Sequence, residues 1–324
     1  MCPVLWSCRA STGHPIEETA GKRDNVESVQ LISIDSTLPP MHSNSNLIIS
    51  GDTLIIYDGQ QRDRLFAAYD IASERYVGSF GKFGTGPGEM SYLGGLYADR
   101  GGNIFALNTG RMTLQGINME KALSDSTCKA FDKVRLDNSD YMTLFVAPHY
   151  VNDTTVLCSL YGPGESGFSS RLGRFNPDSG AATFIDTVSS GDVGKCQIAV
   201  DINQNIIVST GYTHDRIKIF DTDGNLKKTI YGSDYKEKHD GVSYYFSSPV
   251  IAGARLYVSY NGSDIRNDNS VYGKDIFVMD LDGKYIKTLH LEARVNDMTY
   301  HHGTNRLFIH TDGEPQFGYI QLDD

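Results

Sequence analysis

The sequence repeats a short strand–turn–strand pattern six times at a nearly constant interval. In each copy, two apolar runs flank a turn, which predicts two antiparallel strands joined by a hairpin. The turn positions are Asp52, Gly102, Asp153, Gln204, Ala254 and Thr304. They are separated by 50, 51, 51, 50 and 50 residues. This repeat constrains the fold more than any other property of the chain, because each copy must form one unit of a repeated architecture.

A second hairpin follows the first in several copies, most clearly in residues 65–81, 216–232 and 275–290. Four strands in about 50 residues is the period of a propeller blade. The sequence therefore predicts an all-β fold, a six-bladed β-propeller of four-stranded antiparallel blades. The predicted blades span residues 43–81, 93–136, 142–188, 196–232, 246–290 and 295–323.

The ends of the chain predict how the ring closes. The last copy has room for only three strands, whereas residues 28–35 (SVQLISID) alternate like a strand and lie outside the first copy. We expect this N-terminal strand to complete the sixth blade, because closure removes an open sheet edge. Residues 28–324 then form one propeller domain. Residues 1–27 are interpreted as a truncated lipoprotein signal remnant, with Cys8 as the lipidated residue, followed by a flexible tether.

Charge and cysteine content exclude several classes of function. The 324 residues carry 40 acidic and 29 basic side chains, a formal net charge of -11, which argues against a protein that tracks nucleic-acid phosphates. No apolar run approaches the roughly 20 residues of a membrane span, so membrane contact is expected only through the lipid anchor. The five cysteines lack the spacing of a zinc site.

The connection between the first two blades carries a family resemblance. Residues 81–90 (GKFGTGPGEM), after YDIASERYVGSF, resemble a loop motif of the TolB-like, NHL-like six-bladed propeller lipoproteins of Bacteroides-type bacteria. The resemblance implies export to the cell envelope, in the periplasm or on the outer membrane, and lipidation of Cys8. Some six-bladed relatives are metal-dependent lactonases and others bind peptides or proteins, so the resemblance leaves the activity open.

The candidate binding residues lie in the connections that a propeller gathers on one face of its channel. These segments are rich in Tyr, whose amphipathic ring suits recognition of a protein, peptide or glycan. Residues 231–247 and 260–274 are the longest such segments and should adjoin on that face. The candidate ligand-binding residues are Arg62, Asn108, Arg111, Tyr161, Tyr212, His214, Tyr244, Tyr245, Tyr260 and Tyr272.

The alternative is a calcium-dependent lactonase or esterase with its site at the channel mouth. Asn296 and Asp297 enter the innermost strand of the last blade and are the weak metal candidates. The equivalent positions hold Gly94-Gly95, Cys196-Gln197 and Ser248-Pro249, which are poor ligands. We find no coherent catalytic set and no GxSxG elbow. We therefore expect a binding or scaffolding module without a cofactor, and calcium only in the alternative.

Overall fold

The computed structural model describes residues 15–43, 45–136, 144–164, 167–186, 196–237, 241–268 and 270–323. Six sheets stand in a ring, and the first strand of each blade contacts the first strand of the next. The predicted all-β, six-bladed propeller is confirmed. Within these described ranges, two short α-helices interrupt it, α1 (Met119–Ser124) and α2 (Ile265–Asp268). In the described part of the chain, no helix has the length and apolar character needed to cross a membrane.

The strands of each blade pair in chain order from the channel outward. The first three blades consist of β4 (Ser45–Ser50), β5 (Thr53–Asp58), β6 (Phe66–Asp70) and β7 (Arg75–Phe80); β8 (Leu93–Ala98), β9 (Asn103–Asn108), β10 (Thr113–Asn118) and β11 (Phe131–Arg135); and β12 (Leu144–Asn152), β13 (Thr155–Gly164), β14 (Gly167–Phe175) and β15 (Ala182–Phe184). Blades 4 and 5 consist of β16 (Cys196–Asp201), β17 (Ile206–Gly211), β18 (Arg216–Phe220) and β19 (Leu226–Tyr231); and β20 (Ser243–Ala252), β21 (Arg255–Asp264), β22 (Asp275–Asp280) and β23 (Tyr285–His290). Blade 6 consists of β24 (Val295–His301), β25 (Arg306–Thr311), β26 (Phe317–Gln321) and the N-terminal β3 (Ile32–Ser33).

The hydrophobic core is divided into layers between blades. Each of the six buried clusters combines side chains from two adjacent blades, including the pair formed by the last and the first. The middle strands are covered on both faces, which explains continuous apolar runs such as Leu54-Ile55-Ile56. The stability of a blade therefore depends on both neighbours, and opening the ring between two blades would expose one such layer.

Ring closure depends on a very short strand and one carboxylate. β3 pairs with β26 through Ile32 and Ser33 alone, antiparallel as predicted. Ile34 extends the pairing by donating its N–H to the Phe317 carbonyl at 3.0 Å. The Asp35 carboxylate then accepts the N–H groups of Gln316 and Phe317, both at 2.7 Å. A carboxylate thus replaces the remaining rungs of the ladder.

The N-terminal segment departs from the sequence interpretation. Residues 15–27 were expected in a flexible tether, but β1 (Ile16–Thr19) pairs in parallel with β19, and β2 (Val26–Ser28) pairs in parallel with β23. The closing strand is also shorter than the predicted 28–35. The correction has a physical reason: β19 and β23 are outer strands with free backbone groups, which an adjacent extended segment can satisfy.

Segments predicted as loops are partly strands. Tyr161 pairs with Ser170 in the hairpin of β13 and β14, and β20 pairs with β21 out to Ser243 and Asp264. Residues 243–247 of the first long segment and 260–264 of the second therefore adjoin, through a ladder of strands. Sequence reasoning ended these strands too early because Gly and Ser residues within them indicate turns.

A buried histidine joins blade 6 to blade 1. His310 lies in β25, fully buried, with its ring stacked on Phe317 at 4.7 Å between centroids. Its Nδ1 donates to the Ser45 carbonyl of β4 at 2.9 Å, while its Nε2 is buried without a partner among the described residues. Burial lowers the pKa of His310 to about 4, although Asp58 and Asp312 oppose that shift.

We expect Asp35→Ala to destabilise the propeller by about 2 kcal/mol, because it removes two charge-assisted hydrogen bonds at the closure. Urea unfolding monitored by fluorescence measures this change. Asp24→Ala, at an exposed position of the same segment, is the matched control and should change stability by less than about 0.5 kcal/mol. Equal midpoints for the two variants would contradict the closing role of Asp35.

Stability should fall on acidification because of His310. In the unfolded chain, the imidazole of His310 binds a proton near pH 6.5, whereas in the folded chain this imidazole remains neutral down to about pH 4. The stabilisation is complete above pH 6.5 and is lost as the pH falls towards 4, at about 1.4 kcal/mol per pH unit and roughly 3 kcal/mol in all. Unfolding midpoints measured across this range should show a shallower slope for His310→Asn, which keeps a donor for Ser45. The exposed His302→Asn should keep the wild-type slope, and identical slopes in all three proteins would refute the assignment.

Candidate functional site

The innermost strands of the six blades surround an open channel. The cavity has a volume of ≈ 620 Å³, and all six blades line it. Small-molecule and cofactor sites have similar volumes. The first strands enter the channel from the face that carries the connections between blades and between second and third strands, which we call the upper face.

Four of the six innermost strands carry a β-bulge in the channel wall. Pairing is interrupted at Gly94/Leu96, Val146/His149, Ser247/Pro249 and Val295/Asp297. The extra residues Gly95, Ala147 and Ser248 have positive φ angles of 51°, 45° and 25°. Such a conformation destabilises Ala or Ser by about 1 kcal/mol or more, and bulges re-aim side chains near functional sites. Their recurrence near the upper end of the channel makes this region the candidate site.

Asp297 ties three blades together at this level. Its Oδ2 accepts the N–H of Leu47 in blade 1 at 2.8 Å. Its Oδ1 accepts the Ser248 hydroxyl of blade 5 and the N–H of Met298 in its own strand, both at 2.9 Å. Burial raises the pKa of Asp297, and these donors oppose that increase. The carboxylate therefore acts as a structural clasp across the wall.

Two of the candidate tyrosines lie beside this clasp. Tyr212 and Tyr272 line the channel together with Gln197, whose Nε2 donates to the Tyr212 hydroxyl at 3.2 Å. Burial raises the pKa of Tyr212 to about 12 and also raises that of Tyr272, and the charge of Asp297 adds to both shifts. Both phenols stay protonated at neutral pH. We call Gln197, Tyr212, Ser248, Tyr272 and Asp297 the polar rim.

The opposite end of the channel is more aromatic. Tyr97, Tyr150 and Tyr300 line it, and Tyr97 stacks on Tyr150 at 6.4 Å between centroids. Between the two ends, His149 Nε2 donates to the Ile198 carbonyl at 2.8 Å and links blade 3 to blade 4. Burial lowers the pKa of His149, so its ring is neutral. The channel thus offers hydrogen-bonding groups above and ring faces below.

A calcium site built on Asn296 and Asp297 does not fit these residues. Such a site needs several oxygen ligands that converge from different blades, but the bulges place Gly95 and Ala147 in the wall. Asp297 is already engaged by amide and hydroxyl donors, and Asn296 Nδ2 donates to the Ser43 carbonyl at 3.0 Å. Within the described ranges, no three His, Cys, Asp or Glu side chains form a group that could hold a metal ion.

The other eight candidate residues do not line the channel. Asn108 is fully buried, where it donates to Gln115 and accepts the Arg111 N–H. His214 is also buried, with its ring 6.2 Å from that of Tyr235. These two have structural contacts that the loop-rich composition of their segments does not reveal.

Two of the candidate tyrosines of blade 5 pack in the core. Tyr245 is buried and its hydroxyl donates to the Asp234 carbonyl at 3.1 Å. Tyr260 stacks on Phe277 at 4.2 Å between centroids. Tyr244 and Tyr161 are half-buried in the extended hairpins of blades 5 and 3. The strands continue past their predicted ends, so alternate side chains turn inward.

The two arginines remain in connections of the upper face. Arg62 lies over the Phe83 ring at 4.7 Å, and Arg111 pairs with Asp132 at 3.0 Å. Both contacts fix the side chain against a neighbouring element. Of the ten candidate residues, the fold therefore brings only Tyr212 and Tyr272 together at the channel.

Sequence reasoning missed Gln197 and Ser248, which it set aside as poor metal ligands. In the sequence, both are polar residues within the first three positions of a predicted blade, 196–232 or 246–290, although Ser248 lies in the middle of the observed β20. A polar residue at that position of the repeat could have indicated a side chain that faces the channel. The bulge that turns Ser248 towards Asp297 has no signature in the residue types alone.

Comparisons with known proteins agree with this architecture. Among proteins with curated descriptions, none matches the chain significantly. The structure of a DUF4221 family member from Bacteroides vulgatus is similar over 92% of this chain and 99% of that chain, with a TM-score of 0.61 and 11% identity. The extracellular domain of a putative one-component system from B. thetaiotaomicron matches 88% of this chain and 35% of that chain, at a TM-score of 0.55 and 12% identity. A gluconolactonase from Xanthomonas campestris matches 87% of this chain and 86% of that chain, at a TM-score of 0.52 and 13% identity.

Because the sequence identities are low, the likeness to these structures shows the fold alone. The family described as TolB-like 6-blade propeller-like matches residues 23–302, which is most of the chain. The match includes the first five blades and the start of the sixth, and so covers every strand that contributes to the polar rim. The chain therefore belongs to the TolB-like six-bladed propeller family.

Proposed function

We propose that this protein is an exported, lipid-anchored binding and scaffolding propeller of the cell envelope. It recognises a protein, peptide or glycan at the upper end of its channel. The observation that carries this proposal is the polar rim, in which three adjacent blades present hydrogen-bonding side chains around an open cavity of ≈ 620 Å³. Family membership and the sequence Leu5-Trp6-Ser7-Cys8, which resembles the lipobox of a lipoprotein signal, support the location.

The chemistry of the rim suits recognition better than catalysis. Tyr212 and Tyr272 are neutral phenols that donate hydrogen bonds, and their ring faces can stack on a sugar or a peptide group. Gln197 adds an amide with both donors and an acceptor. Asp297 is held by three donors and is poorly placed to act as a nucleophile or base. A ligand that offers both hydroxyl or amide groups and apolar faces matches this set.

The arginines on the upper face extend the proposed surface. Arg62 and Arg111 each sit in a connection between second and third strands, outside the channel but on the same face as Tyr212. Their partners Phe83 and Asp132 hold them in place. A protein or peptide ligand that fills the channel mouth would contact them at the periphery, where exposed charges affect association rate more than affinity.

Substituting the rim tyrosines should weaken ligand binding. Arrays of glycans and of peptides, probed with labelled protein, supply the ligands, and calorimetry then measures affinity. Tyr212→Ala and Tyr272→Ala should each weaken the binding of a ligand that contacts the polar rim by about 1–3 kcal/mol. Val77→Ala, at an exposed position of the outer strand β7 and outside the channel lining, is the control and should leave affinity unchanged. Arrays that give no ligand sensitive to the two rim substitutions would overturn the proposal.

Lipid anchoring has its own test. Cys8 lies outside the described residues, so the prediction rests on the sequence Leu5-Trp6-Ser7-Cys8. When the gene is expressed with its native upstream sequence, the protein should incorporate labelled palmitate, and Cys8→Ala should abolish the label. Cys2→Ala is the matched control and should keep it. A label that survives Cys8→Ala would refute the anchor while leaving the binding proposal intact.

A further inference from the structure

A segment outside the blades wraps the outer wall of the propeller. We call residues 15–29 the strap. It adds β1 to the outer edge of blade 4 and β2 to that of blade 5, both in parallel, whereas all strands within the blades are antiparallel. Extended peptide ligands add to sheet edges in the same manner. The strap thus contacts blades 4 and 5 as a peptide ligand would.

The strap between Pro15 and Ser28 is anchored by one long side chain. From the start of β1 to the end of β2, all residues are exposed except Ala20 and Arg23. The Arg23 side chain is only 10% exposed, and its Nη1 donates to Asp215 Oδ1 at 3.0 Å. The Asp215 side chain is fully buried. A mostly exposed segment is therefore fixed by one deeply inserted guanidinium.

The pocket that receives Arg23 has the chemistry of a cation-binding site. The guanidinium carbon lies 4.7 Å from the ring centroid of Phe277, 5.4 Å from that of Tyr260 and 5.9 Å from that of Phe246. Ring faces and a carboxylate together attract a planar cation. Gly232 lies against the Asp215 carboxylate, where a Cβ atom would collide with it. The body of blades 4 and 5 thus supplies the whole pocket, and the strap supplies only its occupant.

Acidic residues of the strap pair with lysines on either side of this pocket. Glu18 pairs with Lys228 of β19, and Glu27 pairs with Lys287 of β23, each at 2.7 Å. Exposed pairs of this kind contribute little stability, but they set which sequence fits in which register. From blade 4 to blade 5, the groove contacts an acidic residue, an arginine and a second acidic residue.

We propose that the groove along the outer edges of blades 4 and 5 is a binding site for an extended, acidic polypeptide segment that carries one arginine. The strap occupies this groove as an internal ligand. A partner segment of the same chemistry displaces it by pairing with β19 and β23 and by placing its arginine against Asp215. Few buried contacts hold the strap, so its local release is easier than unfolding of a blade. This site is on the outer wall, and its pocket residues Asp215, Phe246, Tyr260 and Phe277 do not line the channel.

The test uses the full chain with its strap released. Glu18→Lys, Arg23→Ala and Glu27→Lys together remove the anchor and reverse both flanking charges. The probe is a fluorescent peptide of residues 15–29, PIEETAGKRDNVESV, and the control peptide carries citrulline in place of Arg23. Citrulline keeps the shape of the side chain and removes its charge. Fluorescence anisotropy gives the Kd of each pair.

The strap-released chain should bind the arginine peptide about 10- to 100-fold more tightly than the citrulline peptide, because a buried charge-assisted pair is lost. The unmodified chain should bind the arginine peptide at least about 10-fold more weakly, because its own strap competes at high effective concentration. The Lys22→Ala chain, altered at an exposed strap position, should behave like the unmodified chain.

Two results would overturn the proposal. Equal affinity of the arginine and citrulline peptides for the strap-released chain would show that the pocket does not recognise the cation. A doubled mass of the unmodified chain by light scattering, abolished by the three strap substitutions, would assign the groove to the strap of a second copy. Circular dichroism confirms that the strap-released chain is folded, and the comparison of two peptides on one chain does not depend on its stability.

Discussion

The closure between β3 and β26 is the constraint on which the rest of the structure depends. The core is divided into six interblade layers, so no blade can be completed without both neighbours. Only two residues of β3 enter the ladder, and the Asp35 carboxylate and the Ile34 N–H complete the pairing of β26. Ile34 also fills the layer between blades 6 and 1, next to Phe317. The chain that pairs with blade 6 as β3 continues into β4 of blade 1. This connection between the last blade and the first fixes the geometry of the whole ring, including the channel.

The repeat in the sequence was sufficient to predict the fold, because it reflects local strand and turn preferences that recur in every copy. The site was harder to predict. Tyr260 and Tyr212 are the same residue type in similar segments, yet Tyr260 packs in the core and Tyr212 lines the channel. The difference depends on how far β21 extends, which is set by its pairing with β20 and not by its own composition. The strap was missed for a similar reason, since its polar sequence indicates a tether unless the free edges of β19 and β23 are known.

The channel wall shows how a regular repeat is adapted to a particular site. Bulges with positive φ at Ala147 and Ser248 are locally unfavourable, and the surrounding blades must hold them. In return, the bulge at Ser248 directs its hydroxyl to Asp297, which also binds the backbone of blade 1. Burial, with an added contribution from the charge of Asp297, raises the pKa of the neighbouring phenols, which stay protonated as hydrogen-bond donors. One carboxylate therefore joins three blades of the wall and lies beside the donors of the rim.

The strap and the polar rim use the same blades. Gln197 and Tyr212 belong to blade 4, Ser248 and Tyr272 to blade 5, and Asp297 to blade 6, and these are the blades that β1, β2 and β3 bind on the outside. The connection is short, since Asp215, which holds Arg23, lies three residues after Tyr212. The Tyr212 carbonyl accepts the N–H of Tyr245, whose ring packs in the same interblade cluster as Phe246, Tyr260 and Phe277. The groove that holds Arg23 and the rim that carries Tyr212 are therefore joined through one loop and one core layer.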